Sequence, residues 1–236
     1  MNKQSNLYTV IYIVLLTVIV GAALALTSLS LRDRQQQNVD AEKMRQILAS
    51  VHVTPAKGDI VTDFNRLITS QYLVNSKGEK IDGDAFSVNV AAQIKEKAAD
   101  RLLPVYECRL PENGSTKYIL PLYGAGLWGP IWGYIAIDSD GSTIYGAFFA
   151  HQGETPGLGA EIEKPAFSDQ FDNLSVFKDD IFKPVAVVKK GMKPLNGEDY
   201  VDGISGGTIT SQGVSSMLAN CLKPYERFLE KLRNNN

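Results

Sequence analysis

The stretch "IWGYIAIDSDGSTIYGAFFA", residues 131–150, decides the fold class of this chain. Two runs rich in β-branched and aromatic residues, 131–137 and 143–150, stand on either side of a turn that contains an Asp140–Gly141 step. An Asp-Gly step between two such runs is a strong signal for a β-hairpin, because glycine readily adopts the positive φ that tight hairpin turns require. The stretch therefore predicts two neighbouring antiparallel strands.

The sequence on both sides of this hairpin predicts further strands and helices. "KYILPLYG" (117–124) and "PVAVVKKG" (184–191) have the composition of strands, and Pro121 inside the first favours an edge or a bulged strand. Segment 60–72 is predicted to be a helix. The whole pattern predicts an α+β fold, in which a mainly antiparallel sheet is flanked by helices in one domain, residues 33–236.

The segment "DGISGGTITS", residues 202–211, combines a glycine-rich turn with several hydroxyl side chains. A helix is predicted after it, since five apolar residues fall at positions i, i+3, i+4, i+7 and i+8: Val214, Met217, Leu218, Cys221 and Leu222. Two interpretations are open at this point. Either Thr210 or Ser211 is an ordinary N-cap, or the free N–H groups and the positive dipole end of the helix hold a phosphate.

An apolar segment without charged residues extends from Leu7 to Leu31. At about 1.5 Å per residue, a helix of this length spans a hydrocarbon core about 30 Å thick. The alternative is a cleaved signal peptide with Ala23-Leu24-Ala25 as its cleavage site, but the apolar run exceeds the roughly 7–15 residues typical of signals. We therefore predict one transmembrane anchor over residues 1–32.

The charged residues beside the anchor do not settle its orientation. Lys3 precedes the apolar segment, whereas Arg32 and Arg34 follow it. Counted alone, these residues place the large domain in the cytoplasm, but long domains cross membranes largely regardless of nearby charge. The charge count is therefore weak support for either orientation.

Composition argues against several classes of function. With 24 Lys and Arg against 26 Asp and Glu, the chain has a net charge of -2 and no basic stripe, so we expect no nucleic acid as a partner. Cys108 and Cys221 show neither a CxxC motif nor metal-ligand spacing, so we expect no metal site. Sequence alone does not decide whether the two cysteines form a disulfide or stay free thiols.

The segment from Asp202 to Thr208 resembles the flavinylation motif Asp-x-x-(Ser/Thr)-Gly-Ala-(Thr/Ser). In proteins with this motif, a flavin transferase esterifies FMN through its phosphate to the last hydroxyl, which belongs to Thr208 in this chain. One position departs from the pattern, because Gly207 stands where alanine is usual. The resemblance implies one covalent FMN on Thr208, with the other residues of the motif around it: Asp202, Ser205, Gly206 and Gly207.

A second motif makes the resemblance specific. "HQGETPGLGAEIEKP" (151–165) resembles the His-x-Glu-Thr-Pro-Gly-Leu-Gly element of the FMN-bearing subunits of two related respiratory pumps, with one residue inserted after the histidine. Together with "YGAGLWGPIWGYIAID" (123–138) and the anchor, it makes the chain similar to the NqrC subunits of the sodium-translocating NADH:quinone oxidoreductases (Nqr). The related G-type subunit of the Rnf complex, which has different electron donors and acceptors, is the alternative.

This resemblance implies an electron relay in a six-subunit membrane complex that oxidises NADH, reduces ubiquinone or menaquinone and transports sodium. It also implies a single-pass inner-membrane protein, whose soluble domain lies on the periplasmic side, and a flavin transferase as maturation partner. An electron relay needs no general acid or base, so we expect no catalytic residues. A more distant alternative is a membrane-anchored module that binds its ligand noncovalently and has no redox role.

Residues of the second motif and its surroundings have chemistry that suits a flavin. Leu158 can lie on the isoalloxazine face and Trp128 can add an aromatic contact, although both can equally be core residues. Thr155 can hydrogen-bond a ring edge, and Gly157 lets the backbone run close to a flat ring. Lys190 can face the phosphate or stay solvated. The expected FMN-binding residues outside the flavinylation motif are therefore Trp128, Glu154, Thr155, Gly157, Leu158 and Lys190.

Overall fold

The computed structural model describes residues 6–55, 59–111, 114–194 and 196–234. It divides the chain into two compact units, Met1–Lys43 and Met44–Asn236. Lys3, which entered the charge count beside the anchor, lies outside the described residues. The division between an anchor that ends at residue 32 and a domain that starts at residue 33 stays a prediction.

A long helix, α1 (Asn6–Ala49), begins in the first unit. It contains an 18-residue stretch with a mean hydropathy of 2.7, of which 0% is buried. Core helices of soluble domains bury most of their apolar side chains, so an exposed apolar stretch of this length fits a lipid environment. Among the described residues, α1 is the one helix that is long and apolar enough to cross a membrane.

The second unit mixes helices and strands. Besides the end of α1, its helices are α2 (Ile60–Leu67), α3 (Val90–Gln93), α4 (Pro165–Ser168), α5 (Thr208–Leu222) and α6 (Glu226–Asn234). Its strands are β1 (Ile68–Val74), β2 (Lys80–Ile81), β3 (Leu103–Arg109), β4 (Thr116–Ala125), β5 (Pro130–Asp138), β6 (Ile144–His151), β7 (Phe177–Lys178), β8 (Ile181–Phe182), β9 (Ala186–Val188) and β10 (Tyr200–Asp202). Short 3-10 turns cover Ala98–Asp100, Gly159–Glu163, Asp169–Phe171 and Lys223–Tyr225.

Six strands form one antiparallel sheet in the order β2-β1-β3-β4-β5-β6. The hairpin of β5 and β6 pairs Ile131 with His151 and Ile135 with Ala147, so the prediction from segment 131–150 is confirmed. β9 and β10 form a separate parallel pair, and β7 and β8 form a separate antiparallel pair. The predicted α+β class with a mainly antiparallel sheet is confirmed.

The helix predicted over residues 60–72 is wrong for its last part, residues 68–72. α2 ends at Leu67, and the chain continues directly as β1, where Tyr72 pairs with Val105 of β3. Pairing on the sheet buries Leu73 and Val74. Burial of these side chains and the hydrogen bonds of the ladder together outweigh a local helical pattern.

Pro121 lies in an inner strand, β4, whose pairing with β5 continues without a bulge, so the prediction of an edge or a bulged strand is wrong. The ladder between β3 and β4 ends at the pair of Tyr106 and Ile119, so Pro121 lies beyond it and pairs with Tyr134 of β5. The missing N–H of proline therefore interrupts no pair with β3, because only residues 116–119 of β4 pair with that strand.

The sheet separates two hydrophobic cores, because successive side chains of a strand point to opposite faces. Ile135 of β5 belongs to one core, which also contains Met217 of α5. Ala136, the next residue along β5, belongs to the other core, which contains Ile47 near the end of α1. The segment 202–211 and the rest of α5 therefore lie on the face of the sheet that the core with Met217 covers.

The two cysteines lie on opposite faces of this sheet. Cys108 belongs to the core with Ile47, Cys221 belongs to the core with Met217, and both thiols are free and buried. Burial raises the pKa of each thiol to about 11, so both are uncharged at neutral pH. Of the two alternatives that the sequence left open, the structure therefore has the free thiols.

Candidate functional site

The segment 202–211 links two parallel strands to a helix. β9 and β10 end side by side at Val188 and Asp202, and α5 begins shortly afterwards at Thr208. The carboxyl ends of parallel strands beside a helix N-terminus form a crevice that commonly binds ligands. The N-cap of α5 is Gly207, which has no side chain that could accept from the N–H groups of the first turn.

The predicted capping role of Thr210 or Ser211 is wrong, because both residues lie inside the first turn of α5. The Ser211 hydroxyl accepts a hydrogen bond from the Ile204 N–H at 2.9 Å, which ties the glycine-rich turn to the helix. Thr210 is buried, and its hydroxyl donates to Glu154. Neither side chain therefore caps the N–H groups of the first turn.

Thr208 is exposed and lies where two cavities meet. The first, which we call the apolar cavity, has a volume of about 330 Å³, and its lining includes Leu127, Trp128, Glu154, Thr155, Leu158, Gly206, Gly207 and Ile209. The second, which we call the lysine cavity, has a volume of about 430 Å³, and its lining includes Val188, Lys189, Lys190, Met192, Lys193, Ser205, Gly206 and Gln212. Both volumes fall within the roughly 300–1,000 Å³ that is usual for small-molecule sites.

Large apolar side chains at the apolar cavity are exposed to solvent. Trp128 is 69% exposed and Leu158 is 42% exposed, so the alternative that they are core residues is wrong. Ile209 of α5, 54% exposed, joins them, although only its position directly after Thr208 pointed to it in the sequence. Clustered apolar groups that stay exposed beside a cavity are typical of a binding surface.

The carboxylate of Glu154 connects three segments of the apolar cavity. Glu154 is 5% exposed, its Oε2 accepts a hydrogen bond from the Thr210 hydroxyl at 2.5 Å, and its Oε1 accepts one from the Trp128 N–H at 2.8 Å. The Glu154 N–H donates to Nδ1 of His151 at 3.0 Å. These bonds hold together the loop after β6, the loop between β4 and β5, and the first turn of α5.

The surroundings of Glu154 favour its ionised form. Burial acts to raise the pKa of Glu154, but hydrogen bonds from Thr210 and from the backbone N–H groups of Trp128 and Leu127 outweigh burial, so the pKa is lowered. Both carboxylate oxygens thus bond to the protein itself. Glu154 is among the residues that the family resemblance suggests for FMN, but the sequence contains no signal for Thr210 as its partner, since 56 positions separate the two.

Two glycines are required by the shape of the apolar cavity. A Cβ on Gly159 would lie 2.5 Å from the Thr210 hydroxyl oxygen and would also collide with the Glu154 carboxylate. Gly206 has a φ of +74°, and a Cβ there would lie 2.6 Å from Cδ2 of Leu158. A larger residue at either position would displace side chains that line the cavity.

The remaining residues singled out in the sequence are distributed around Thr208. Lys190 is exposed in the lysine cavity and also lines a third cavity, together with Gly157 and Asp202. The backbone of Asp202 forms two hydrogen bonds with the side chain of Gln170, at 2.9 and 3.4 Å. Asp202 and Gly157 therefore border a neighbouring cavity, and not either of the two that meet at Thr208.

The sequence profile of the FMN-binding domain family matches residues 126–223 of this chain. This range contains Thr208 and every residue that lines the apolar cavity and the lysine cavity. The family match and the geometry therefore point to the same part of the molecule.

Similar proteins cover most of the chain. The C subunit of the Na(+)-translocating NADH-quinone reductase of Yersinia pestis is 30% identical over 98% of this chain and 95% of its own length. Its counterpart from Vibrio anguillarum is 30% identical over 90% of this chain and 89% of its own length. The crystal structure of the corresponding protein from Parabacteroides distasonis ATCC 8503 is 53% identical, has a TM-score of 0.78, and covers 84% of this chain and 96% of its own. These similarities confirm the resemblance to the NqrC subunits.

Proposed function

This chain belongs to the NqrC family, the C subunits of Na(+)-translocating NADH-quinone reductases, and from that membership we propose that it is an electron-relay subunit with one FMN attached to Thr208 by a phosphoester. The FMN-binding domain match supports FMN as the cofactor. The observation that carries the proposal is the position of Thr208, exposed at the start of α5 on the rim that the two cavities share.

The N-terminus of α5 suits the phosphate of such a group. The first N–H groups of a helix have no partner within the helix, and the helix dipole adds partial positive charge there. A phosphodiester on Thr208 has one negative charge, so this position lowers its free energy. Lys190, exposed in the lysine cavity, adds a positive charge nearby.

The apolar cavity suits the isoalloxazine ring. Trp128 and Leu158 offer exposed apolar surface, and Thr155 offers a hydroxyl in the same cavity. We assign ring contacts to these three residues. When bound, FMN supplies the redox chemistry, while the protein binds it, orients it and limits its contact with water. No side chain has to move a proton in this function.

We also propose that this chain is one of six subunits of a membrane complex that oxidises NADH, reduces ubiquinone or menaquinone and transports sodium. A flavin transferase attaches the FMN to the chain. The length and apolar composition of α1 support membrane attachment. A single-pass anchor over residues 1–32, with the domain 33–236 on the periplasmic side of the inner membrane, completes the proposal.

The test uses the full chain, produced with and without a flavin transferase. Flavin fluorescence should survive denaturing electrophoresis only when the transferase is present, and mass spectrometry should find the added mass of an FMN moiety on the peptide that contains Thr208. Thr208→Ala should remove both signals completely, because it removes the attachment oxygen. Thr208→Ser should retain them, because it keeps a hydroxyl at the same position.

Two results would contradict this proposal. Fluorescence that persists on the gel in Thr208→Ala would assign the bond to another residue. A wild-type protein that binds flavin in solution but loses all of it on denaturation would support the alternative of a noncovalent binding module.

A further inference from the structure

Glu154 puts a negative charge into the wall of the apolar cavity. It lines this cavity together with Trp128 and Thr208, and its carboxylate is buried. Its donors are neutral groups, the Thr210 hydroxyl and the Trp128 N–H. The Glu154 N–H in turn donates to Nδ1 of His151. The hydrogen bonds therefore hold the charge in place without cancelling it.

The positive charges at the site are poorly placed to compensate for Glu154. Lys189, Lys190 and Lys193 line the lysine cavity and not the apolar cavity, and all three are exposed. Water and salt screen an exposed charge much more than a buried one. Among the described residues that line the apolar cavity, Glu154 is the one with a charged side chain.

Resting on the function proposed above, we propose that the fixed charge of Glu154 lowers the midpoint potential of the flavin held in the apolar cavity. Reduction adds negative charge to a flavin, and a like charge in the cavity wall raises the free energy of that state. Because the carboxylate is buried, water weakens this repulsion less than it would at the surface. Glu154 is thus a positioning residue that also adjusts the driving force of electron transfer.

The test compares midpoint potentials of flavin-loaded full chains in detergent, measured by spectroelectrochemical titration against a reference dye. Glu154→Gln keeps the shape, and its amide can accept from the Trp128 N–H and bond to the Thr210 hydroxyl. With the charge removed, the equilibrium constant for flavin reduction should increase about tenfold. An unchanged constant in this variant, with flavin still on Thr208, would overturn the proposal.

Two further variants separate charge from structure. Glu163→Gln removes a carboxylate from the same loop segment as Glu154. Because the Glu163 side chain is 42% exposed, this variant should change the equilibrium constant for flavin reduction less than about twofold. Thr210→Ser removes a methyl group from the cavity wall but keeps the hydroxyl that donates to Glu154, so its constant should also stay within about twofold of the wild-type value. A change of about tenfold in Thr210→Ser would mean that cavity geometry and not charge sets the potential, and would overturn the proposal even if Glu154→Gln does not fold.

A failure of the proposed function can be distinguished from a failure of the inference about Glu154. Mass spectrometry of the Thr208 peptide is done on each sample before titration. If the wild-type peptide carries no FMN mass, the function proposed above is wrong and the inference about Glu154 is overturned with it. If the mass is present and the potential does not respond to Glu154→Gln, only the inference about Glu154 is wrong.

Discussion

The two walls that meet at Thr208 are built in different ways. The wall of the apolar cavity contains a buried carboxylate, Glu154, which is hydrogen-bonded to Thr210 and to the backbone of Trp128. The wall of the lysine cavity contains long, exposed side chains such as Lys190. The wall of the apolar cavity therefore has a fixed geometry, whereas the charged side chains of the lysine cavity are solvated and can change conformation.

This difference predicts how much a substitution in each wall changes the free energy of folding. A buried hydrogen-bonded charge is costly to disturb, because a partner that loses its bond stays desolvated. An exposed lysine is already surrounded by water, so its removal changes the folding free energy by less than about 0.5 kcal/mol. Substitutions near Glu154 should accordingly have the larger effects.

Of the substitutions described next, Gly159→Ala should have the largest effect on stability. Its Cβ would crowd the Thr210 hydroxyl and the Glu154 carboxylate, both held by their mutual hydrogen bond, so the free energy of unfolding should fall by about 3 kcal/mol. Gly153→Ala is the matched control in the same loop, since a Cβ there meets nothing within 4 Å, and it should change stability by less than about 0.5 kcal/mol. Denaturant unfolding followed by circular dichroism measures both. Equal stabilities of the two variants would show that the wall is not rigid.

Gly206→Ala and Gly207→Ala should differ although the residues are adjacent. Gly206 has a φ of +74°, so alanine there should cost about 1–2 kcal/mol and displace Leu158. Gly207 has a φ of -107° and would place a Cβ 3.1 to 3.3 Å from Ile204 and Gly159, which small shifts accommodate at a cost below about 1 kcal/mol. In-gel flavin fluorescence should fall for the first variant and stay unchanged for the second, which restores the usual residue of the flavinylation motif. A Gly207→Ala protein that is modified as poorly as Gly206→Ala would contradict this.

Lys190→Ala should have the smallest effect. Because Lys190 is exposed, its loss should leave stability unchanged and should shift the equilibrium constant for flavin reduction less than about twofold at low salt. Salt should abolish the shift, because it screens exposed charges. Midpoint titrations at low and high ionic strength test this. A large shift that persists in high salt would mean that Lys190 is held against the flavin and that the two walls are alike.

Local features of the fold could be predicted from sequence. The hairpin of segment 131–150 was predictable, because its strands and its turn are contiguous and their pairing needs no distant partner. The helix after residue 211 was predictable from its apolar spacing, although it begins earlier, at Thr208. The end of α2 was not, because the strand that follows it is stabilised by pairing with β3, about 30 positions further along the chain.

The candidate site, like the fold, was predictable only where its residues are close together in the chain. Thr208, Gly206 and Ser205 belong to one contiguous motif; in the structure Thr208 and Gly206 line both cavities, and Ser205 lines the lysine cavity. The partner of Glu154 was hidden, because Thr210 is 56 positions away and looked like a helix cap. A side chain's hydrogen-bond partner depends on which elements pack together, and spacing along the chain does not contain that information.

The sequence by itself determined the α+β class, the apolar amino-terminal segment and the two motifs around Thr208, because each of these depends on residues that are close together in the chain. Only the tertiary structure decided that Cys108 and Cys221 are free, that Trp128 and Leu158 are exposed, and that the Glu154 carboxylate is buried in a cavity wall. These properties depend on which face of the sheet each element covers, and that is set by pairing and burial between residues far apart in sequence.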